Sequence, residues 1–297
     1  MTFAVTKNSN YIYTPLEIFD DQRFVLKKIF DLSAALLREI VYVFTMIHGR
    51  IFNDFSLYSN PVEWKENSQG LYVLIHGLNG HPGIWQTHVN LLKRDELDKD
   101  LFIPFVPLKG NGKLKAVVPP ILATLKDYAQ KNPGKPICLI GVSNGGRICT
   151  WLESQLRTEV ASTPVKVSTI AAVHFGSSRM DWFKWFHEWT GWSLGGYTPS
   201  VVKELCFGSK KAKKILDRIS QPLPNGVTRG KFEFFASTED FHVPDFICSI
   251  PKIGDHPSKK HIVHGYAHSG IVSGVAQQQV QSCKKWMAKI TSIENIQ

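Results

Sequence analysis

The sequence predicts an α/β fold in which a mostly parallel central sheet is flanked by helices. Three observations carry that expectation. Short, almost unbroken apolar runs recur from Leu71 onward, as strands buried on both faces require. Segments with apolar residues at helical spacing alternate with those runs, the rhythm of consecutive strand–helix–strand units. A chain of 297 residues with 43% hydrophobic content is also long enough for one large domain with appendages and a sizeable core.

Taken in order, residues 1–68 read as an N-terminal helical extension, and 69–297 as the α/β unit. Val25, Ile29, Leu32, Leu36, Ile40, Val43, Ile47 and Ile51 are spaced by threes and fours, the apolar seam of a long helix. Asp31, Arg38 and Glu39 interrupt it, so the segment is too polar to span a membrane. The simplest expectation lays the seam on the body of the protein. Tyr42, Phe44 and Phe52 widen the apolar face and keep a membrane-surface helix as the alternative.

Asn67-Ser68-Gln69-Gly70 reads as the linker to the first strand, LYVLIH (71–76). LFIPFVPL (101–108) is a second strand containing prolines. A helix over about Pro120–Gln130 leads to a strand at Ile137–Ile140. VSTIAAVHF (167–175) and KFEFFAS (231–237) follow, HIVHG (261–265) is the last strand, and a helix over Ile271–Ile290 closes the chain.

The connection at about 178–230 is long, and long connections usually carry function. Trp182, Phe183, Trp185, Phe186, Trp189 and Trp192 crowd its first part, at spacings that wrap aromatics around a helix. It reads as an inserted cap or lid, with an ordinary aromatic subdomain core as the alternative.

Composition bounds the partners. The formal net charge is +10, which permits attraction to anionic surfaces. The densest basic cluster holds Lys210, Lys211, Lys213, Lys214 and Arg218, but no zinc-finger spacing or nucleic-acid motif accompanies it, so nucleic acid is not expected. The five cysteines are few and unpatterned; Cys138, in an expected strand, and Cys149, in an expected helix, read as buried thiols, which suits a reducing compartment. The first residues lack a basic segment followed by an apolar core, so the expectation is a cytoplasmic protein without signal peptide or transmembrane helix, with peripheral membrane contact as an option. No metal-ligand cluster stands out.

The chemistry concentrates in Ile137–Leu156, an apolar strand, the turn Gly141-Val142-Ser143-Asn144-Gly145, and a helix-patterned stretch with Ile148, Trp151, Leu152 and Leu156 on one face. G-x-S-x-G alone is a weak signal, and the chain holds a second match at Gly191-Trp192-Ser193-Leu194-Gly195. Ser193 has no buried strand before it and no helix after it, so Ser143 is preferred. The strand–turn–helix around Ser143 resembles the nucleophile elbow of the α/β-hydrolases.

Three further segments resemble that superfamily in the order Ser, acid, His. Asp240-Phe241-His242-Val243-Pro244 looks like its acid turn and singles out Asp240, with Glu239 and Asp245 as rivals. Gly265-Tyr266-Ala267-His268-Ser269-Gly270 looks like its histidine segment and favours His268 over His261 and His264; His256 sits in a loop, and His242 reads as structural. His76-Gly77-Leu78-Asn79-Gly80 looks like its oxyanion loop.

The resemblance spans roughly residues 70–290 and leans toward lipases and esterases, through His174-Phe175-Gly176-Ser177. Val142 and Asn144 depart from the residues usual beside the serine. What the resemblance implies is a serine hydrolase cleaving a carboxylic ester of a lipid or acyl substrate. Ser143 would be nucleophile, Asp240 acid, His268 base, and the Leu78 and Asn144 N–H groups the oxyanion hole, with no metal or cofactor needed. A thioesterase or amidase with the same residues is the near alternative, and a non-catalytic lipid- or protein-binding homologue the distant one.

Overall fold

The computed structural model describes residues 23–51, 58, 63–192, 196–220, 231–253 and 258–294. Ser193 and His256 lie outside the described residues.

Six strands form one sheet among the described residues: β1 (Leu71–Ile75), β2 (Asp100–Phe102), β3 (Ile137–Val142), β4 (Val165–Ile170), β5 (Lys231–Ser237) and β6 (Ser258–Val263), in spatial order β2-β1-β3-β4-β5-β6. Every pairing is parallel, with Leu71 opposite Ile137, Ile137 opposite Val165, and Phe235 opposite His261. All residues of β1, β3 and β4 are buried. Alternation then divides them between two cores. Leu71, Val73, Ile75, Ile137 and Leu139 face α3 (Leu114–Lys131) and α4 (Asn144–Glu159). Tyr72, Leu74, Cys138 and Ile140 face α2 (Gln86–Asp95) and α9 (Gly270–Glu294). Each such aliphatic side chain contributes about 1.5–3 kcal/mol relative to leaving it in water.

Several predicted bounds shift. The 101–108 run yields a three-residue strand, because Pro104 and Pro107 cannot donate to a ladder and the chain turns into a 3-10 segment at Pro107–Gly110. The 167–175 run ends as a strand at Ile170. β6 ends at Val263, so His264 and Gly265 lie beyond it rather than in it. α3 starts six residues before Pro120, with Pro119 and Pro120 inside.

Between β4 and β5 stand α5 (Ser178–Thr190), α6 (Pro199–Leu205) and α7 (Lys210–Ser220). Only Met180 of α5 is buried. Trp182, Trp185, Trp189 and Trp192 are each more than half exposed, so the aromatics form no subdomain core. A short α8 (Phe246–Ser249) follows β5.

The largest departure is α1 (Val25–Ile51). Its seam does not face the body: Val25, Ile29, Leu32, Leu36, Ile40 and Val43 are all exposed, while Asp31 and Ala35 are buried. The side chains of Ile47 and Ile51 lie outside the described set. No helix among the described residues is long and apolar enough to cross a membrane.

Candidate active site

Leu78, Ser143, Asn144, Asp240 and His268 all follow the carboxyl ends of parallel strands, where loops from adjacent strands diverge, whereas His261 lies within β6. Ser143 follows β3 directly and precedes α4, with φ 55° and ψ −125°. Such a conformation is costly for a residue with a Cβ and is held only where the surroundings over-determine it. Here Ser143 N–H donates to Ile170 O at 2.9 Å, and Ser143 O accepts from Gly146 N–H at 3.1 Å. The flanking glycines are sterically required. A Cβ on Gly141 would lie 2.5 Å from Gly145 O, and one on Gly145 would lie 2.1 Å from Ile75 O.

The loop after β1 lies against this turn. A Cβ on Gly77 would come within 2.8 Å of Ser143 Cβ and 3.3 Å of its Oγ. His76 anchors the loop from below. Its Nδ1 lies 2.9 Å from Gly77 O and its Nε2 3.0 Å from the Tyr58 hydroxyl, and burial pushes its pKa down to about 4, so it is a neutral support. Leu78 N–H donates to no described acceptor, and Asn144, first residue of α4, has no intrahelical acceptor for its N–H.

Asp240 and His268 meet. His268 Nδ1 donates to Asp240 Oδ2 at 2.8 Å, while Asp240 Oδ1 accepts from the backbone N–H groups of His242 and Val243 at 2.8 and 2.9 Å. Burial alone would raise the Asp240 pKa, but His268 and those two N–H groups outweigh it, and the net shift is downward. For His268 burial would favour the neutral ring, yet Asp240 prevails and the net shift is upward. No hydrogen bond joins Ser143 Oγ to His268 in this geometry.

The rivals are committed elsewhere. Glu239 accepts from Gly265 N–H (2.7 Å), Thr238 Oγ1 (2.6 Å) and Arg23 (2.8 Å). Asp245 accepts from Ser178 Oγ at 2.7 Å. His264 Nδ1 pairs with the Thr238 hydroxyl, and His261 lies between Glu233 and Gln278. The His242 ring sits 5.0 Å from that of His268 and is driven down to about 4, first by burial and then by His268. His174, from the lipase-like segment, is fully buried between Thr150 and Thr169, and burial takes its pKa to about 3.

Residues 107–112 escaped the sequence reading. Leu108 and Lys109 carry φ of 54° and 52°, and a Cβ on Gly110 would lie 2.9 Å from Gly77 O. Asn144 Nδ2 donates to Gly110 O at 2.9 Å, and its Oδ1 accepts from buried Arg147 Nε at 2.8 Å. Arg147 reaches Glu204 of α6 at 3.5 Å, and Asn111 bonds Gly196 O and Thr198 N–H. The unusual Asn144 thus ties the turn to a neighbouring loop. Lys109-Gly110-Asn111-Gly112 was the available signal, since such glycine-rich punctuation marks special backbone. Of the six non-glycine residues with positive φ among the described residues, five (Asn79, Leu108, Lys109, Ser143, Ala171) lie at this edge of the sheet.

Two surface depressions lie apart from these residues. One of about 280 Å³ is bounded by Phe183, His187, Tyr197 and Val202 between α5 and α6; the other, about 340 Å³, lies beside Trp151 between α3 and α4. Neither is lined by Ser143, Asp240 or His268. No group of His, Cys, Asp or Glu that could hold a metal is present among the described residues. All five cysteines are free and buried.

No family model matches the chain, and no curated protein does. Solved structures do. A structure from work on the metagenome-derived lipolytic enzymes LipS and LipT is 12% identical, covers 76% of this chain and 96% of its own, and superposes with a TM-score of 0.52. The Bacillus licheniformis lipase BlEst2 is 16% identical, with coverage of 73% and 91% and a TM-score of 0.48. Est1E from Butyrivibrio proteoclasticus is 15% identical, with 76% and 90% and a TM-score of 0.47. The likeness to the first, joined to the parallel six-stranded sheet and the strained strand–turn–helix at Ser143, identifies the fold: the chain has the α/β-hydrolase fold.

Proposed function

We propose that the protein is a serine hydrolase that cleaves a carboxylic ester, with a lipid or other acyl ester as substrate and no cofactor. The observation that carries the reading is the strained Ser143 turn pressed against Gly77 at the sheet edge that also holds the Asp240–His268 pair. In this reading Ser143 Oγ attacks the acyl carbon while His268 Nε2 takes its proton. Asp240 holds Nδ1–H, fixes the tautomer and stabilises the imidazolium. The oxygen that gains charge is received by the N–H groups of Leu78 and Asn144. His268 then returns the proton to the leaving alcohol, and water releases the acyl group by the same steps in reverse order.

Exposed aromatics on α5 support an apolar substrate, since their rings offer contact area without a polar partner. The test is hydrolysis of p-nitrophenyl esters of graded chain length by the intact protein and by Ser143→Ala. The reading expects turnover that varies with acyl length and vanishes in the variant. Equal turnover by both proteins, or none by the intact protein with any ester, thioester or amide, contradicts it.

A further inference from the structure

Helix α1 is inverted relative to an ordinary surface helix. One arc carries Asp31, Ala35, Arg38 and Glu39, at the spacing of a single helical face. That arc meets the protein. Arg23, just before the helix, bridges Asp31 and Glu239. Arg38 donates to Gly265 O and its guanidinium lies 4.4 Å from the Tyr266 ring centre. Glu39 Oε2 accepts from the N–H groups of Ser269 and Gly270, at 3.1 and 3.3 Å, capping the start of α9 beside His268. The opposite arc carries Leu26, Phe30, Leu37, Val41 and Phe44, each more than half exposed.

An apolar arc turned outward by a polar clasp turned inward is the polarity of a helix lying in a bilayer interface. Two further observations select lipid as the occupant. The chain carries a formal charge of +10, which complements anionic headgroups. The second exposed apolar helix, α5, presents tryptophans, the side chain that favours membrane interfaces. Glu39 from α1 and Arg179 from α5 both act electrostatically on His268, so the two helices flank the same histidine.

We infer that α1 seats the protein on an anionic lipid surface through its outward apolar arc, and that Arg38 and Glu39 on its inward arc position the loop carrying His268. The inference rests on the reading of Ser143, Asp240 and His268 as an ester-cleaving site. Glu39 is a positioning residue: it holds the Ser269 and Gly270 N–H groups and touches no reacting atom. His268 faces Asp240 from the turn after β5, Glu39 from α1, Arg179 from α5 and neutral His242. Removing the Glu39 charge takes away one of the groups that favour imidazolium.

Flotation with vesicles of phosphatidylcholine alone, and of phosphatidylcholine with phosphatidylglycerol, tests the seating. Hydrolysis of a soluble short-chain ester and sedimentation accompany it. The intact protein is expected to float most strongly with the anionic vesicles. Phe30→Glu with Leu37→Glu should weaken flotation roughly tenfold or more, because both side chains leave the apolar phase, and should leave soluble-ester hydrolysis unchanged. Glu39→Gln should float normally, while the acid limb of its rate profile moves to lower pH; Glu39→Asp should restore part of the original profile. Failure of the intact protein to float with either vesicle overturns the seating. So does undiminished flotation of the double variant, or its conversion of a dimer to a monomer, which would make the arc a contact between copies. An unchanged pH profile in Glu39→Gln overturns the positioning role. Flotation without hydrolysis of any ester by the intact protein supports the seating and counts against the hydrolase reading.

Discussion

Strands β5 and β6 and the segments that follow them hold two carboxylate–histidine pairs of nearly equal length. His268 Nδ1 lies 2.8 Å from Asp240, and His261 Nε2 lies 2.9 Å from Glu233. They differ in place and in what else engages them. Glu233 also meets Lys166 Nζ at 2.7 Å, inside the sheet, and Gln278 occupies the second nitrogen of His261, whose ring stacks on Phe235 at 4.4 Å. His261 therefore has both nitrogens committed and its acid is already neutralised by a cation. His268 spends one nitrogen on Asp240 and keeps Nε2 without a described partner, in a loop at the edge where Ser143 stands. Pairing alone does not separate the two histidines; the proposed role falls to His268 because its Nε2 is uncommitted at the sheet edge that also carries Ser143.

The sharpest way to break that comparison is to remove each histidine. Ser143→Ala and His268→Ala should each lower kcat by about 10⁴- to 10⁶-fold on an activated ester, as losses within one cooperating set do. His261→Gln should change kcat by no more than a few-fold. Equal losses from both histidine variants would erase the distinction.

The acids should separate by kind of effect. Asp240→Asn should cost about 10⁴-fold in kcat, because the amide cannot hold the same tautomer. Glu233→Gln should leave kcat nearly intact but destabilise the fold by about 3–5 kcal/mol in denaturant titration, since it strands buried Lys166.

Replacing Gly77 with Ala tests the approach of the loop to Ser143. Its Cβ would sit 2.8 Å from that of Ser143, so the turn or the loop must shift. We expect a loss on the order of 10²-fold in kcat, the scale of a displacement of about an ångström at a reacting group. Comparing chemical denaturation curves checks that stability changes less than rate.

The pH dependence gives the smallest effect and the finest discrimination. His268 must be neutral to act as base, and its pKa is raised in the fold, so kcat/KM should climb with pH along a limb above the ordinary imidazole range. Asp240→Asn should move that limb toward acid. Stability runs the other way. The contribution from raised His268 is complete below the ordinary imidazole value of 6.5 and is lost as pH rises through its folded pKa. That from lowered Asp240 is complete above the ordinary carboxyl value of 3.8 and is lost as pH falls through its folded pKa. The pair therefore stabilises the fold most between those values, on the acid side of the activity limb.

The sheet was legible in the sequence because β1 and β3 are buried on both faces and are continuously apolar; β4 is equally buried but admits Lys166, Ser168 and Thr169 among its apolar residues. The Ser143 turn was legible because the required glycines sit where any Cβ would strike backbone. The structure brings Asp240 and His268 within 2.8 Å of each other, and the commitments of Glu239, Asp245 and His264 could not be read from composition. Helix α1 shows the limit most clearly. Periodicity located its apolar seam but said nothing about direction, and the few polar residues that interrupt the seam turned out to hold the helix to the protein. The loop at 107–112 was hidden for another reason: its strain lies in backbone angles that Leu108 and Lys109 do not advertise.

The most direct measurement is site-mapped labelling with a fluorophosphonate. A single adduct is expected on Ser143, lost or greatly slowed in His268→Ala and retained at its normal rate in His261→Gln. An adduct on Ser193, or Ser143 labelling that is indifferent to His268, would contradict it.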